Sequence, residues 1–172
     1  MESQSKIISY LKTCLKEDFN KFNEEQINFF ICNPHCYRGE SFDYDNFAMF
    51  GNTKGIMSGD PNYELTYIIH ECLHLMYPYK DKNDEVEEKI THSIIELISD
   101  YGLGQTLNGK AYQGHENLKE TVSSLYPDFI EYLSNDEIRS LSEFIDKAIL
   151  QNETNEKGAS LWTAIESKQI IS

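Results

Sequence analysis

The sequence predicts an α+β fold, a short sheet set against helices, and three observations carry that expectation. An apolar run rich in Ile and Phe, QINFFICN (26–33), is closed by Asn33-Pro34 and reads as a buried strand. NFAMF (46–50) and GIMSG (55–59) flank the turn-rich tetrapeptide GNTK, the pattern of a β-hairpin. Elsewhere apolar residues recur at helical spacing between capping signals.

The elements follow in chain order. Residues 5–19 place Ile7, Ile8, Leu11, Cys14, Leu15 and Phe19 on one face of an amphipathic helix. After the strand and hairpin, Asp60-Pro61 supplies an N-cap and a first-turn proline, and that helix runs to about Tyr77, before Pro78. A polar loop, YKDKND, leads to a second helix over about 84–101, with acids in its first turn and Gly102 just past its end. A glycine-rich loop, GLGQTLNGKAYQGH, precedes helices expected at 116–125, 128–134 and 136–151, the last capped by Asn135 or Asp136. A single domain over 1–151 is expected, then a polar linker and short possible helix bearing Trp162 over 152–172.

Composition narrows the function. The 172 residues suffice for one real core, and a hydrophobic content of 40% is ordinary for a globular chain. A net charge of -14 offers no basic surface for nucleic acid or for anionic lipid. No apolar run approaches the ~18 residues that span a bilayer. The amphipathic, charged N-terminus is unlike a signal peptide, and four scattered cysteines do not make a disulfide scaffold. A cytoplasmic protein with reduced thiols is expected.

The chemistry is concentrated in IIHECLHLMY (68–77). On a helix His70 and His74 lie only ~40° apart, one turn above the other, so both imidazoles can reach one metal ion. Glu71 points to the side, where it can hold a metal-bound water. Leu65, Ile68, Ile69, Cys72 and Met76 form the opposite, apolar face, with Tyr63, Tyr67 and Tyr77 beside the histidines. Zinc needs a third protein ligand. SIIELISDY (93–101) offers Glu96, set among Ile94, Ile95, Leu97 and Ile98, where a carboxylate is costly to bury unless paired or bound to metal. Asp100, one turn on, could accept the free N–H of a ligating histidine.

H-E-x-x-H followed by E-x-x-x-D, with 21 residues between His74 and Glu96, resembles the gluzincin metallopeptidases, thermolysin among them. The resemblance implies one Zn²⁺ per chain held by His70, His74 and Glu96, with Glu71 as general base and Asp100 orienting His70. It implies a zincin-like fold: a small mixed sheet with an edge hairpin, packed on the HExxH helix and a glutamate helix, with C-terminal helices beyond. It also implies an extended peptide or protein substrate, docked by strand pairing along 46–50. The stretch from hairpin to histidine helix is much shorter than in thermolysin, nearer the minimal gluzincins. The oxyanion-stabilising Tyr or His of the family has candidates in His115, Tyr112 and Tyr101, none within a recognisable motif.

Other residues read more plainly. His92, one turn before Glu96, could line the cleft or compete as a ligand, and is expected to be a polar residue at the helix edge. Glu88 is expected to be solvated and Cys72 to fill the core. Cys32, His35 and Cys36 in CNPHC could hold a second metal or form a redox pair, though the spacing is not C-x-x-C. The C-terminal segment could fold over the cleft and keep the enzyme latent. Two functions are therefore expected: a zinc metallopeptidase, or an inactive zinc-containing scaffold that binds a peptide or protein without cutting it.

Overall fold

The structure, a computed structural model, describes residues 4–21, 60, 62–81, 83–152 and 154 in full. Residues 2–3, 22–24, 28–31, 39–42, 47–50 and 61 are described as backbone only. Helix α1 (Glu2–Leu15) buries Ile7, Leu11, Cys14 and Leu15 of the expected face, while Ile8, also expected there, is exposed. It stops short of the expected Phe19 because Lys16 turns left-handed, φ 51. From there the Lys16 Nζ donates to the carbonyls of Tyr132 (2.8 Å), Asn135 (2.5 Å) and Ile138 (2.8 Å). A short helix α2 (Phe19–Glu24) follows.

The α+β expectation is corrected here. Among the residues described in full there is no strand and no sheet, and the core side chains come from helices and their immediate caps. Among the residues described as backbone only, three four-residue segments are extended, β1 (Asn28–Ile31), β2 (Gly39–Phe42) and β3 (Phe47–Phe50). Their backbones pair in the order β1-β3-β2. β3 is thus flanked on both sides, so over 47–50 its backbone is paired and does not present the open edge expected for a substrate strand. The expected turn and second hairpin arm (51–59), the CNPHC cluster and the tail from 155 onward lie outside the described residues.

Helix α3 (Pro61–Met76) forms where its caps place it. Asp60 Oδ1 accepts from the N–H groups of Asn62 (3.0 Å) and Tyr63 (3.3 Å), satisfying first-turn donors. Helix α4 (Glu85–Glu96) starts in the same way, with Asp84 Oδ1 accepting from Val86 N (2.9 Å) and Glu87 N (3.0 Å). Glu87, buried among the first-turn acids, accepts from Lys80 N (2.7 Å) and Asp81 N (3.1 Å) and so clasps the connecting loop. Glu88 is exposed, as expected.

Gly102 does not end this helix. α4 passes directly into a π-helical stretch, Leu97–Leu103, and then into α5 (Gly104–Asn108), which stops at Gly109 with φ 71. The cause is a side chain from α1. Tyr10 donates its hydroxyl hydrogen to the Ile98 carbonyl at 2.9 Å, within the widened turn. Gly102 leaves room for it: a Cβ there would lie 2.8 Å from Tyr10 Cζ and 2.9 Å from the Leu97 carbonyl oxygen.

The C-terminal helices also differ from expectation. A single turn of 3₁₀-helix, Glu116–Leu118, leads into α6 (Lys119–Ser134), unbroken by Pro127. Val122, Leu125, Phe129 and Tyr132 are buried at one continuous helical spacing across the proline, so packing outweighs the lost hydrogen bond. The last helix, α7 (141–152), is capped by Ser140 rather than Asn135 or Asp136. Ser140 Oγ accepts from Glu143 N at 3.2 Å, and Glu143 reaches back to Arg139 N at 2.9 Å, a near capping box. Leu11, Leu73, Ile94, Ile98, Phe129 and Leu141 meet in one core. Among the described residues no helix is long and apolar enough to cross a membrane.

Replacing Gly102 by Ala should force Tyr10 or the π-turn to move and lower unfolding free energy by roughly 1–3 kcal/mol, the usual range for overpacking. Urea unfolding measures it, and a midpoint equal to wild type would contradict the insertion of Tyr10.

Candidate metal centre

Helix α3 sets His70 against the π-turn and His74 against His92 of α4, and it buries Cys72 and Leu73 as well. His70 and Glu71 are themselves buried. The π-turn carries Ser99 and Asp100 against His70: its Nδ1 lies 2.9 Å from Asp100 Oδ2 and 3.1 Å from Ser99 Oγ. Ser99 Oγ is in turn 2.9 Å from Asp100 Oδ2 and 2.8 Å from the Ile95 carbonyl oxygen. A carboxylate on Nδ1 selects the Nδ1–H tautomer and leaves Nε2 as a lone pair. That lone pair faces His74, whose Nε2 is 3.1 Å away. Two nitrogens sharing a tetrahedral zinc are separated by ~3.3 Å, given metal–nitrogen distances near 2.05 Å. The pair already stands at chelating separation.

Glu96 is fully buried. Its Oε1 accepts from the backbone N–H of His115 at 2.6 Å and from His115 Nδ1 at 2.5 Å. The loop after Gly109 delivers His115 by folding back, with Tyr112 N donating to the Asp100 carbonyl at 2.8 Å. Gly114 lies flat on the carboxylate, since a Cβ there would come within 2.6 Å of Glu96 Cδ.

His92 joins this group from α4. Its ring centroid is 4.6 Å from that of His74, 5.3 Å from His70 and 4.7 Å from His115. Two sets of donor atoms each lie within 4.8 Å of one another: His70, His74 and His92, and His92, Glu96 and His115. Either could hold a metal ion. His92 Nε2 and Glu96 Oε2 are among the buried atoms with no hydrogen-bond partner among the described residues, as are the Thr91 and Ser93 hydroxyls of the same helix. Buried polar atoms are rarely left so, and a coordinated cation would engage such a nitrogen and such an oxygen.

The structure therefore brings together His70, His74, Glu96, His115 and Asp100, with Glu71 beside them, but not Tyr112. The Tyr112 hydroxyl donates to Asp60 Oδ2 at 2.8 Å, at the start of α3. Ten residues of helix, ~15 Å, separate that point from His70. Tyr112 supports the α3 cap instead of an oxyanion, and its hydrogen bond, ahead of those from the backbone and Asn108, holds Asp60 below the usual carboxylate range.

Sequence reasoning undervalued His92 and missed Tyr79. The Tyr79 hydroxyl is 3.4 Å from His74 Nδ1, brought there by the loop that Glu87 clasps. An i, i+4 relation of His92 to Glu96 was the available signal for the first. Nothing local marks the second.

Burial sets the charge of the cluster. It pushes His74 well below the ordinary histidine range, reinforced by His70, His92 and His115. Burial likewise lowers His92 from 6.5 to about 3, helped by the charges of His70 and His115 and opposed by Asp100. Both are neutral near pH 7, the state that binds metal. For His70 burial is the largest influence and acts downward, but the Asp100 hydrogen bond and charge, with Glu71 and Glu96, carry it above its ordinary value.

No protein-family model, curated protein or solved structure matches the chain.

The His92 shift has a pH consequence. Between its folded value of about 3 and the ordinary 6.5 the unfolded chain binds more protons, so stability should fall as pH drops through that window. In metal-free protein, His92→Gln should make the acid decline of the urea midpoint shallower than in wild type. Parallel declines would contradict a buried, neutral His92.

Proposed function

We propose that the chain is a zinc-dependent peptidase of gluzincin character, hydrolysing peptide bonds in an extended substrate. The observation that carries the reading is the pairing of His70 Nε2 with His74 Nε2 at 3.1 Å, with Asp100 on the far nitrogen of His70. That is the ligand pair and orienting carboxylate that H-E-x-x-H with E-x-x-x-D implies.

His70 and His74 would hold the ion, together with a third donor from α4. Zinc bound there supplies Lewis acidity, which brings the pKa of a water toward neutrality and polarises a carbonyl oxygen. Glu71 is the proton carrier: it takes a proton from the attacking water and delivers it to the departing amine. Its buried position beside the pair limits competing solvent. Asp100 keeps His70 in the tautomer whose Nε2 faces the site. His115 and Tyr79 stand at the cluster as donors for a developing oxyanion, in place of Tyr112.

One observation favours a second reading, a zinc-containing module that captures a peptide without cutting it. His92 stands in a donor group with His70 and His74 and in another with Glu96 and His115, so protein donors crowd the centre, whereas catalytic zinc keeps one position open.

Glu71→Gln discriminates the two. The variant should retain zinc at the wild-type level while cleavage of unstructured peptides falls by about 10²–10⁴-fold, the usual contribution of a general base. Chelation should abolish cleavage in wild type, and added zinc should restore it. Wild-type turnover in the variant would exclude the mechanism, and zinc-loaded wild type that retains peptides uncut would favour the module.

A further inference from the structure

We propose that the third metal ligand is His92, so that the ion sits on three histidines, while Glu96 is held beside the site by His115. The inference rests on the reading of His70 and His74 as ligands and names the donor set of that site.

Three observations carry it. First, His70, His74 and His92 offer donor atoms within 4.8 Å of one another, whereas Glu96 shares such a group only with His92 and His115. Second, Glu96 Oε1 is already engaged by two donors of His115, the backbone N–H at 2.6 Å and Nδ1 at 2.5 Å. Moving Oε1 to a metal would break both bonds in a buried place, and the oxygen without a partner, Oε2, is the atom that Gly114 packs against most closely. Third, His92 Nε2 is buried with no hydrogen-bond partner among the described residues, and its ring meets those of His70 and His74 edge-on, at interplanar angles of 69° and 86°. An imidazole nitrogen left unsatisfied among two others is explained by a cation shared between them.

The donor set has chemical consequences. Three neutral imidazoles leave the ion its full double charge, and such a set suits zinc, cobalt, nickel or copper rather than magnesium or calcium. Glu71 and Glu96 then balance that charge from nearby without both being ligands. His115 also holds Glu96 in place in this arrangement, through its backbone N–H and Nδ1.

X-ray absorption at the zinc edge of the zinc-loaded wild-type protein tests the assignment, because imidazole rings give a countable multiple-scattering pattern. Three imidazoles are expected, and two with a carboxylate would overturn the inference while leaving the peptidase reading intact. Zinc affinity, measured by competition with a chromophoric chelator, gives an independent check. His92→Asn should weaken zinc by at least ~100-fold, no less than the loss of an outer-shell partner costs, and Glu96→Gln by under about tenfold. The reverse order would overturn the assignment, as would protein that takes up no zinc. Three imidazoles without any peptide cleavage would uphold this inference and count against the peptidase reading. Should His92→Asn fail to fold, the imidazole count in wild type still decides.

Discussion

The site depends on one buried contact, the hydrogen bond from His70 Nδ1 to Asp100 Oδ2 at 2.9 Å. It joins α3 to the π-turn, and it settles which nitrogen of His70 faces inward. Without it burial would leave the ring free to choose either tautomer, and Nε2 could carry a hydrogen where a lone pair is needed. Ser99 strengthens the arrangement by bonding both partners. The contact is short because the π-turn sets the register of Asp100, and the π-turn persists because Tyr10 inserts its hydroxyl and Gly102 admits it. A residue of the first helix thus takes part in positioning a carboxylate at the centre.

The rest of the centre is arranged by elements that return to it. Glu87 ties the loop after α3 so that Tyr79 reaches His74, and the loop after Gly109 folds back so that His115 reaches Glu96. Each is a side chain or backbone group spent on holding a loop, and each brings an aromatic or imidazole ring to the histidine pair. The accumulated burial keeps His74 and His92 neutral, since a charged imidazole has no water to solvate it there. Neutral nitrogens beside several carboxylates could hold a cation, by composition as well as by spacing.

Where local chemistry decided the outcome, the residues could be read directly. Asp60-Pro61 and Asp84 start their helices as their capping chemistry requires, and the His70–His74 spacing places both rings on one face. Distant partners decided the rest. The π-turn needs Tyr10, 88 residues before the carbonyl it binds. The continuity of α6 through Pro127 follows from a buried face formed against the core, which local propensity does not reveal. His92 and His115 reach the site only after α4 and the following loop have packed. Glu96 was legible as a buried carboxylate needing a partner, but the partner it has is His115. The helical class was missed because short apolar runs rich in Ile and Phe weigh toward strand in the sequence, while the core is assembled from helices.

The central claim is that this cluster binds one metal ion per chain. Metal content of freshly purified protein by plasma mass spectrometry tests it most directly, with a double variant, His70→Ala and His74→Ala, prepared in parallel. Close to one zinc per chain in wild type, and little in the variant, is the predicted result. Wild-type protein that carries no zinc and takes up none on reconstitution would contradict it, leaving the histidines as a buried aromatic cluster of the core.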